Sequence, residues 1–332
     1  MPTPTLGLLL GDPSGIGPEL CAKLVAEEMM VSNRRIMVIG DRIVLEKGCA
    51  AAGVNLDIET VDSSKDLPES GVGLLNHPRI AAETIQVGTA TVASGTFALE
   101  SLRTALDLAR TGSLDGFTFA PFNKESLRLG GNTHEDELRF AAEELRFEGY
   151  CGELNTTKGL WTSRVTSHIP LKDVSAQITQ SGIEKAVNLA HQTLLDAGVT
   201  EPRIAVAALN PHAGDGGNFG TEEIDTIGPA VTSLQQKGFP VQGPFPADTV
   251  FVRTTRGDFD AVVTMYHDQG QIALKLLGFD RGVTVLGGLP IPITTPAHGT
   301  AFDIAGKGVA SVDALKEAWN LLTNMVTSRL VA

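Results

Sequence analysis

Three histidines follow predicted β-strands in the second half of the chain. They are His168 in RVTSHIPL, His212 in LNPHAGDGG and His267 in TMYHDQG. One such histidine is more often structural, but the carboxyl ends of parallel strands converge on one cleft, so the repetition favours a shared site. Three imidazoles with an open position are typical of a catalytic metal, and nitrogen ligands favour zinc, cobalt or manganese over magnesium. We expect Asp248 or Asp268 to support this site.

A glycine-rich segment near the C-terminus could bind a nucleotide cofactor. It reads HGTAFDIAGKGVA from His298 to Ala310. Gly299 and Gly306 allow close backbone approach, Asp303 can accept hydrogen bonds from ribose hydroxyls, and His298 can stack on an adenine. A structural turn before the last helix would have a similar composition.

Two lysines near predicted strand ends are candidate anion ligands. Lys275 follows His267 by two helical turns, and Lys124 lies in APFNKESL. Either ammonium could bind a carboxylate or phosphate as a point charge, and either could equally be a surface lysine.

The segment Gly11–Glu19, GDPSGIGPE, follows a predicted strand and opens a predicted helix. Its glycines do not form the G-x-G-x-x-G pattern, and Pro13 and Pro18 remove amides that a pyrophosphate would need. We therefore reject a Rossmann fold in which Asp41 would bind a ribose. A structural turn and a direct ligand contact remain equally open for this segment.

Short apolar runs alternate with amphipathic stretches, which predicts an α/β fold with mainly parallel sheets. The predicted strands are Thr5–Leu10, Arg35–Ile39, Phe117–Ala120, Arg164–Thr166, Arg203–Ala208, Ala261–Met265 and Val283–Leu286. The predicted helices are Gly17–Glu27, Val92–Thr111, Asp136–Glu148, Gly182–Ala197, Glu222–Lys237 and Ser311–Val326. We expect one domain of residues 1–130 with 270–332, carrying the cofactor segment, and a second domain of residues 131–269, carrying the histidines.

The composition limits the partners and the location of the protein. The 332 residues carry a net charge of −13 without a basic stripe, so nucleic acid is not an expected partner. No apolar run approaches the roughly 20 residues of a membrane helix, and the N-terminus does not resemble a signal peptide. Cys21, Cys49 and Cys151 have no metal-binding spacing and suit a reducing compartment. We expect a cytoplasmic protein without a membrane partner.

Longer motifs lie along nearly the whole chain: GDPSGIGPE at 11–19, PFNKE at 121–125, SHIPL at 167–171, LNPHAGDGGNFGTEEID at 209–225, GPFPADTVF at 243–251 and MYHDQGQIALKLLGF at 265–279. In these motifs the chain resembles the 4-hydroxythreonine-4-phosphate dehydrogenases of pyridoxal phosphate synthesis and their sugar-acid and aromatic-dihydrodiol relatives. The segment His298–Ala310 resembles the adenosine-binding loop of isopropylmalate dehydrogenases.

The resemblance implies a two-domain fold of the isocitrate/isopropylmalate dehydrogenase type, in a homodimer with shared active sites. It implies that His168, His212 and His267 bind the metal, with ligands from both subunits. It also implies that His134 and Lys275 contact a small anionic substrate, and that Asp303 makes the enzyme prefer NAD. The expected reaction is the oxidative decarboxylation of a β-hydroxy acid.

The residue that takes the hydroxyl proton stays open among His134, Lys124 and Asp248.

The substrate end departs from the family pattern. The family's G-H-T-E reads T-H-E-D here, so that Glu135 replaces a threonine; Thr284 stands for an asparagine and Ile293 for an arginine. Losing a guanidinium and gaining carboxylates disfavours a phosphate dianion. We therefore expect a substrate other than 4-phosphohydroxythreonine, such as another four-carbon acid phosphate or a carboxylated cis-diol. Arg128 or Arg139 could supply the missing cation.

Two other classes of function remain to be tested. The fold type also hosts phosphate acyltransferases, and a related chain could be a metal-dependent decarboxylase without redox activity. Neither class would need both the histidines and an adenosine loop.

Overall fold

The computed structural model describes residues 3–31 and 34–331, and the chain divides into two compact units. The first unit combines the chain up to Gly149 with the part from Leu289 onwards, and the second is Tyr150–Gly288. The strands are β1 Thr5–Leu9, β2 Arg35–Ile39, β3 Thr60–Val61, β4 Gly71–Leu75, β5 Gly116–Phe119, β6 Gly152–Thr157, β7 Leu160–Arg164, β8 Ile204–Ala207, β9 Val241–Phe245, β10 Ala261–Thr264, β11 Val283–Gly287 and β12 Ile293–Pro296. The helices are α1 Gly17–Val31, α2 Arg42–Ala52, α3 Val92–Arg110, α4 Lys124–Leu129, α5 Glu137–Glu144, α6 Val174–Gln177, α7 Gln180–Asp196, α8 Gly228–Gln236, α9 Ala247–Thr255, α10 His267–Gly278 and α11 Asp313–Val331.

The sheet of the first unit has the strand order β3-β4-β2-β1-β5-β12, and every pair in it is parallel. Its central strand β1 is buried along its whole length, as expected for a strand covered on both faces. The C-terminal helix α11 packs on β5 and β12 and inserts the fully buried Trp319 into the core.

Asp41 caps the N-terminus of α2 by accepting a hydrogen bond from Ile43 N. It also pairs with Arg79 at 2.9 Å. This carboxylate is therefore already used within the protein, which agrees with the rejection of a Rossmann ribose site.

The sheet of the second unit has the order β11-β6-β7-β10-β8-β9. A tight turn at Lys158 and Gly159, both with positive φ, joins β6 and β7 into a hairpin. The pairs β11–β6 and β6–β7 are antiparallel, whereas β7–β10, β10–β8 and β8–β9 are parallel. The predicted mixed α/β fold with mainly parallel sheets is confirmed.

Both boundaries between the units lie later in the chain than the predicted ones. They fall at 149/150 and 288/289, whereas the sequence predicted 130/131 and 269/270. Helix α5 packs on α3, where Arg103 lies over the Phe140 ring and pairs with Glu144, so the chain up to Gly149 stays with the first unit. Strand β11 pairs with β6 and thereby belongs to the second unit.

Several predicted elements differ from the observed ones in extent. The strand predicted at Arg164–Thr166 is β7, which ends at Arg164, and the segment beyond it hydrogen-bonds to the chain after β10. The helix predicted at Glu222–Lys237 begins with a π-helical turn, Glu223–Ile227, before α8. The helix predicted to reach Glu148 ends as α5 at Glu144. Strands β3, β4, β6, β9 and β12 were not predicted.

No helix within residues 3–31 and 34–331 is both long enough and apolar enough to cross a membrane.

We predict that Gly95→Ala lowers the free energy of unfolding by about 3 kcal/mol, because overpacking has this cost. A Cβ at position 95 would lie 1.7 Å from the carbonyl oxygen of Ser126, so α3 and α4 could not keep their spacing. Gly270→Ala is the control, since its Cβ would meet Thr162 at an ordinary 3.4 Å. Urea unfolding of both variants measures the difference; equal stability of the two would contradict this account of the packing.

Candidate metal centre and cofactor loop

The parallel pairing of β7 and β10 brings two of the three histidines together. Register pairs Arg164 with Thr264, and beyond the strands the hydroxyl and amide of Thr166 both donate to the carbonyl of Met265, at 2.7 and 3.1 Å. His168 and His267 each lie two residues beyond this contact. Their ring centroids are therefore only 5.6 Å apart.

His168 and His267 line the same cavity of ≈ 130 Å³, together with Thr166, Ser167 and Tyr266. His168 has a φ of +36°, which is unusual for a residue with a side chain. Strained backbone conformations of this kind cluster at functional sites. Two imidazoles that face one cavity are a donor set that fits a divalent transition metal.

Asp268 fixes the orientation of the His267 ring. Its Oδ1 lies 2.7 Å from Nδ1 of His267. A carboxylate can only accept in this contact, so the proton lies on Nδ1 and the lone pair of Nε2 is left for a metal. The predicted supporting role fits Asp268 better than Asp248, which is exposed on the first turn of α9 and contacts no partner among the described residues.

His212 follows β8, the other parallel neighbour of β10. Gln269 joins the ends of these two strands, since its side chain accepts from Met265 N and donates to the carbonyl of Ala208. Among the described residues, however, the ligand atoms of His168, His212 and His267 do not all lie within 4.8 Å of one another. One chain thus places the three histidines after neighbouring strands, but their ligand atoms are too far apart to form one three-histidine group.

The predicted substrate residues of the second unit lie in different environments. Lys275 is exposed on α10 and makes no hydrogen bond or ion pair within the described part of the chain. Thr284 is buried on β11, and its hydroxyl accepts a hydrogen bond from Asn155 Nδ2 at 2.8 Å.

A polar network that the sequence analysis missed surrounds Asn155. Its Oδ1 accepts from Arg164 and from Gln271, at 2.9 and 2.5 Å. Arg164 also donates to Ser167 and pairs with Glu153. This guanidinium, which bonds to Ser167 of the histidine cavity, is thereby engaged within the protein and is not a free substitute for the arginine missing at position 293.

In the first unit, the segment Gly11–Glu19 supports the predicted cofactor loop. Glu19 is 2% exposed, and its carboxylate accepts from the amides of Ala310 and Gly308 at 2.9 and 3.2 Å. Lys23 pairs with Glu19 at 2.7 Å and donates to the carbonyls of the same two loop residues. Glu19 and Lys23, on one face of α1, thus bind both the amides and the carbonyls of Gly308 and Ala310.

This role of Gly11–Glu19 is structural. The amide of Ile16 donates to the carbonyl of Thr300, and a Cβ at Gly15 would approach Thr300 to 2.8 Å. The only sign of this support in the sequence is the i,i+4 spacing of Glu19 and Lys23, which usually indicates a surface ion pair.

The residues predicted to contact the cofactor leave room for one. Asp303 is exposed without a hydrogen-bond partner in the described structure, and a Cβ at Gly299 would meet nothing within 4 Å. Gly306 lines a cavity of ≈ 380 Å³ together with Gly15. His298 is half-buried, with Nδ1 3.0 Å from the carbonyl oxygen of Gly299. An exposed acid beside open glycine backbone fits the ribose of a dinucleotide.

The remaining predicted residues lie around α4 and α5. Lys124 begins α4 and is exposed without an ion pair among the described residues. His134 is half-buried, with Nε2 3.5 Å from Glu143 and its ring edge-on to Phe140. Ile293 is 0% exposed, so the position of the family's arginine lies inside the core.

The exposed arginines considered as replacements, Arg128 and Arg139, lie on α4 and α5.

Asp12 is a buried acid at the end of β1. Its Oδ1 accepts a hydrogen bond from Ser14 N at 2.8 Å, and the carboxylate lies beside the Ser126 hydroxyl. Burial raises the pKa of Asp12, and hydrogen bonds from the Ser126 hydroxyl and from the Ser14 and Asn123 amides oppose this rise without cancelling it.

Comparisons with known proteins support one family. The family model for pyridoxal phosphate biosynthetic protein PdxA matches residues 32–322. The chain is 49% identical over 329 residues to a Rhizobium meliloti protein provisionally named 4-hydroxythreonine-4-phosphate dehydrogenase 2, covering 98% of this chain and 94% of the relative. It is 37% identical to the D-threonate 4-phosphate dehydrogenase of Cupriavidus necator, over 98% of each chain. The crystal structure of the 4-hydroxythreonine-4-phosphate dehydrogenase from Klebsiella pneumoniae matches with a TM-score of 0.84 at 33% identity, covering 98% of this chain and 100% of that chain.

We predict that Lys23→Met lowers the free energy of unfolding by about 1–3 kcal/mol, because it leaves the carbonyls of Gly308 and Ala310 without the ammonium donor and the buried Glu19 carboxylate without its cation. Hydrogen exchange should rise at the amides of Gly308 and Ala310, and binding of NAD should weaken. Lys316→Met is the control, because Lys316 forms only an exposed pair with Glu27 and should stay near wild-type stability. Equal exchange in both variants would show that Lys23 does not hold the loop.

We predict that Asp12→Asn removes a pH-dependent loss of stability. Since the folded pKa of Asp12 is raised above 3.8, the unfolded chain ionises first, and the wild type loses stability as pH rises from 3.8 through that raised pKa. The variant lacks this loss, so urea unfolding across a pH series should show its advantage growing with pH. A difference that stays constant with pH would refute the assignment.

Proposed function

The chain belongs to the family of pyridoxal phosphate biosynthetic proteins PdxA, and from this membership we propose that it oxidises and decarboxylates a small anionic β-hydroxy acid. The family relation makes it a dehydrogenase that depends on NAD and a divalent metal. The observation that carries the proposal is the pair His168 and His267, which line one cavity with Asp268 holding Nδ1 of His267.

The site residues divide by task. His168, His212 and His267 hold the metal, for which imidazole ligands favour zinc, cobalt or manganese. A divalent metal bound by these residues would lower the pKa of the substrate hydroxyl, and bound NAD would supply the hydride acceptor. Oxidation would yield NADH, a proton and a β-keto carboxylate, and loss of CO₂ from that carboxylate would leave an enolate that takes up a proton to give the ketone.

The remaining site residues serve the organic ligands. Lys275 meets the anionic end of the substrate with its unpaired ammonium, and His134 and Thr284 contact the substrate. His298, Gly299 and Gly306 hold the adenosine, and Asp303 binds the ribose hydroxyls, where its charge would repel a 2′-phosphate. Lys124, His134 and Asp248 are the candidates for the residue that moves the hydroxyl proton.

A homodimer would complete the metal site. His212 does not close a three-histidine group within one chain, so a second copy would supply the missing ligand. The cytoplasmic location expected from the sequence stays a prediction.

The substrate should differ from 4-phosphohydroxythreonine. Ile293 is fully buried where the family has an arginine, and the hydroxyl of Thr284 is bonded to Asn155. A phosphate dianion therefore lacks its bidentate partner. The candidate that fits this loss is a carboxylated cis-dihydrodiol, which carries no phosphate, and D-threonate 4-phosphate, the substrate in the name of the Cupriavidus necator relative, is the second candidate.

We predict NADH formation from one of these two candidates with a kcat/KM at least about tenfold above that for 4-phosphohydroxythreonine, a difference of ~1.4 kcal/mol. Chelation should abolish the activity, cobalt, zinc or manganese should restore it, and NADP should replace NAD poorly. A kcat of about 10 s⁻¹ on 4-phosphohydroxythreonine as the best substrate would overturn the substrate proposal. CO₂ release from a β-keto acid without any NADH formation would favour the non-redox decarboxylase instead.

A further inference from the structure

The loop that carries His212 has an unusual backbone. Five consecutive residues, His212–Gly216, have φ between +44° and +80°. Three of them carry side chains (His212, Ala213 and Asp215), and this left-handed conformation is disfavoured for such residues. A run of this kind persists only where the surroundings hold it in place.

One buried carboxylate holds the start of this run. Oε1 of Glu223 accepts hydrogen bonds from the backbone amides of Leu209 and Asn210, both at 2.8 Å. Its Oε2 accepts from Asn210 Nδ2 at 2.9 Å. Glu223 is 5% exposed, so these bonds form in a setting where water does not compete.

The carboxylate of Glu223 also packs closely against the left-handed residues His212–Gly216. A Cβ added at Gly214 would lie 2.8 Å from Oε2 of Glu223, so the carboxylate is packed against the middle of the left-handed residues. The residue begins the π-helical turn Glu223–Ile227, a feature often found near functional sites.

The neighbouring acid offers a natural comparison. Glu222 accepts from Asn210 Nδ2 at 2.7 Å and Ser175 Oγ at 2.6 Å, and also from the backbone amides of Thr221 and of Glu222 itself. It bonds to no backbone amide of the loop among the contacts found in the described structure. Substituting each of the two adjacent acids therefore distinguishes a general effect of negative charge near the loop from a specific effect of anchoring its backbone.

We propose that Glu223 is the positioning residue of His212: its carboxylate holds the amides of Leu209 and Asn210 and so keeps the left-handed loop in the conformation that presents the imidazole to a divalent metal. This inference rests on the proposed metal-dependent function. Glu223 would not touch the metal or the substrate and would act only through His212.

The test measures metal binding directly in the metal-stripped full-length protein. Co²⁺ is titrated against a chromophoric chelator, and its visible absorption reports the ligand geometry. Glu223→Met, which removes both acceptor oxygens at similar size, should raise the Kd for Co²⁺ by about 10–100-fold, the effect of losing an outer partner of a ligand. Glu223→Gln keeps one acceptor oxygen and should give a smaller rise, while Glu222→Met should keep the wild-type Kd.

The possible results distinguish a failure of the Glu223 proposal from a failure of the proposed metal-dependent function. Wild-type Kd and spectrum in both Glu223 variants would overturn the inference, as would an equal rise in Glu222→Met. No Co²⁺ binding by the wild type would overturn the proposed function as well. If Glu223→Met does not fold, Glu223→Gln decides, and a Kd for NAD equal to that of the wild type shows that the first unit is intact.

Discussion

Parallel pairing of neighbouring strands is the constraint on which the candidate metal centre depends. Strands that run in the same direction end at the same edge, so residues a fixed distance beyond two paired strands must lie side by side. In β7 and β10 the pairing continues past the strands through Thr166 and Met265. The two residues beyond this contact on each strand, His168 and His267, consequently share one cavity.

Buried carboxylates recur as anchors for irregular backbone in this acidic chain. Glu19 holds amides of the cofactor loop, and Glu223 holds amides at the start of the His212 loop. Asp41 caps α2 in the same way. A carboxylate offers several acceptor positions and can satisfy amides that no strand or helix partner reaches. Part of the net charge of −13 therefore serves to hold loops in place, and not only to keep the surface charged.

The substrate end differs from the other two parts of the site. Thr284 and Ile293, where the sequence departs from the pattern of the family it resembles, are both buried: the hydroxyl of Thr284 is bonded to Asn155, and Ile293 offers no polar group. The nearby guanidinium of Arg164 is bonded to Asn155, Ser167 and Glu153. In the function we propose, recognition of the anionic tail falls to Lys275, whose ammonium binds anions with less geometric selectivity than an arginine would.

The sequence by itself determined the α/β class and the histidines at strand ends, because hydrophobic alternation and strand-end position depend only on local order along the chain. The resemblance of its longer motifs indicated the family. It also predicted most of the long helices, but it missed short strands such as β3 and β12, whose few residues carry little periodic signal.

Only the tertiary structure decided which partners these residues meet. The sequence left Gly11–Glu19 open between a turn and a ligand contact, and the fold makes it a support, since Glu19 reaches Ala310 across 291 residues of chain. The chain register of β7 and β10 set the 5.6 Å between the rings of His168 and His267. Such contacts depend on residues far apart in the chain, and no local pattern encodes that proximity.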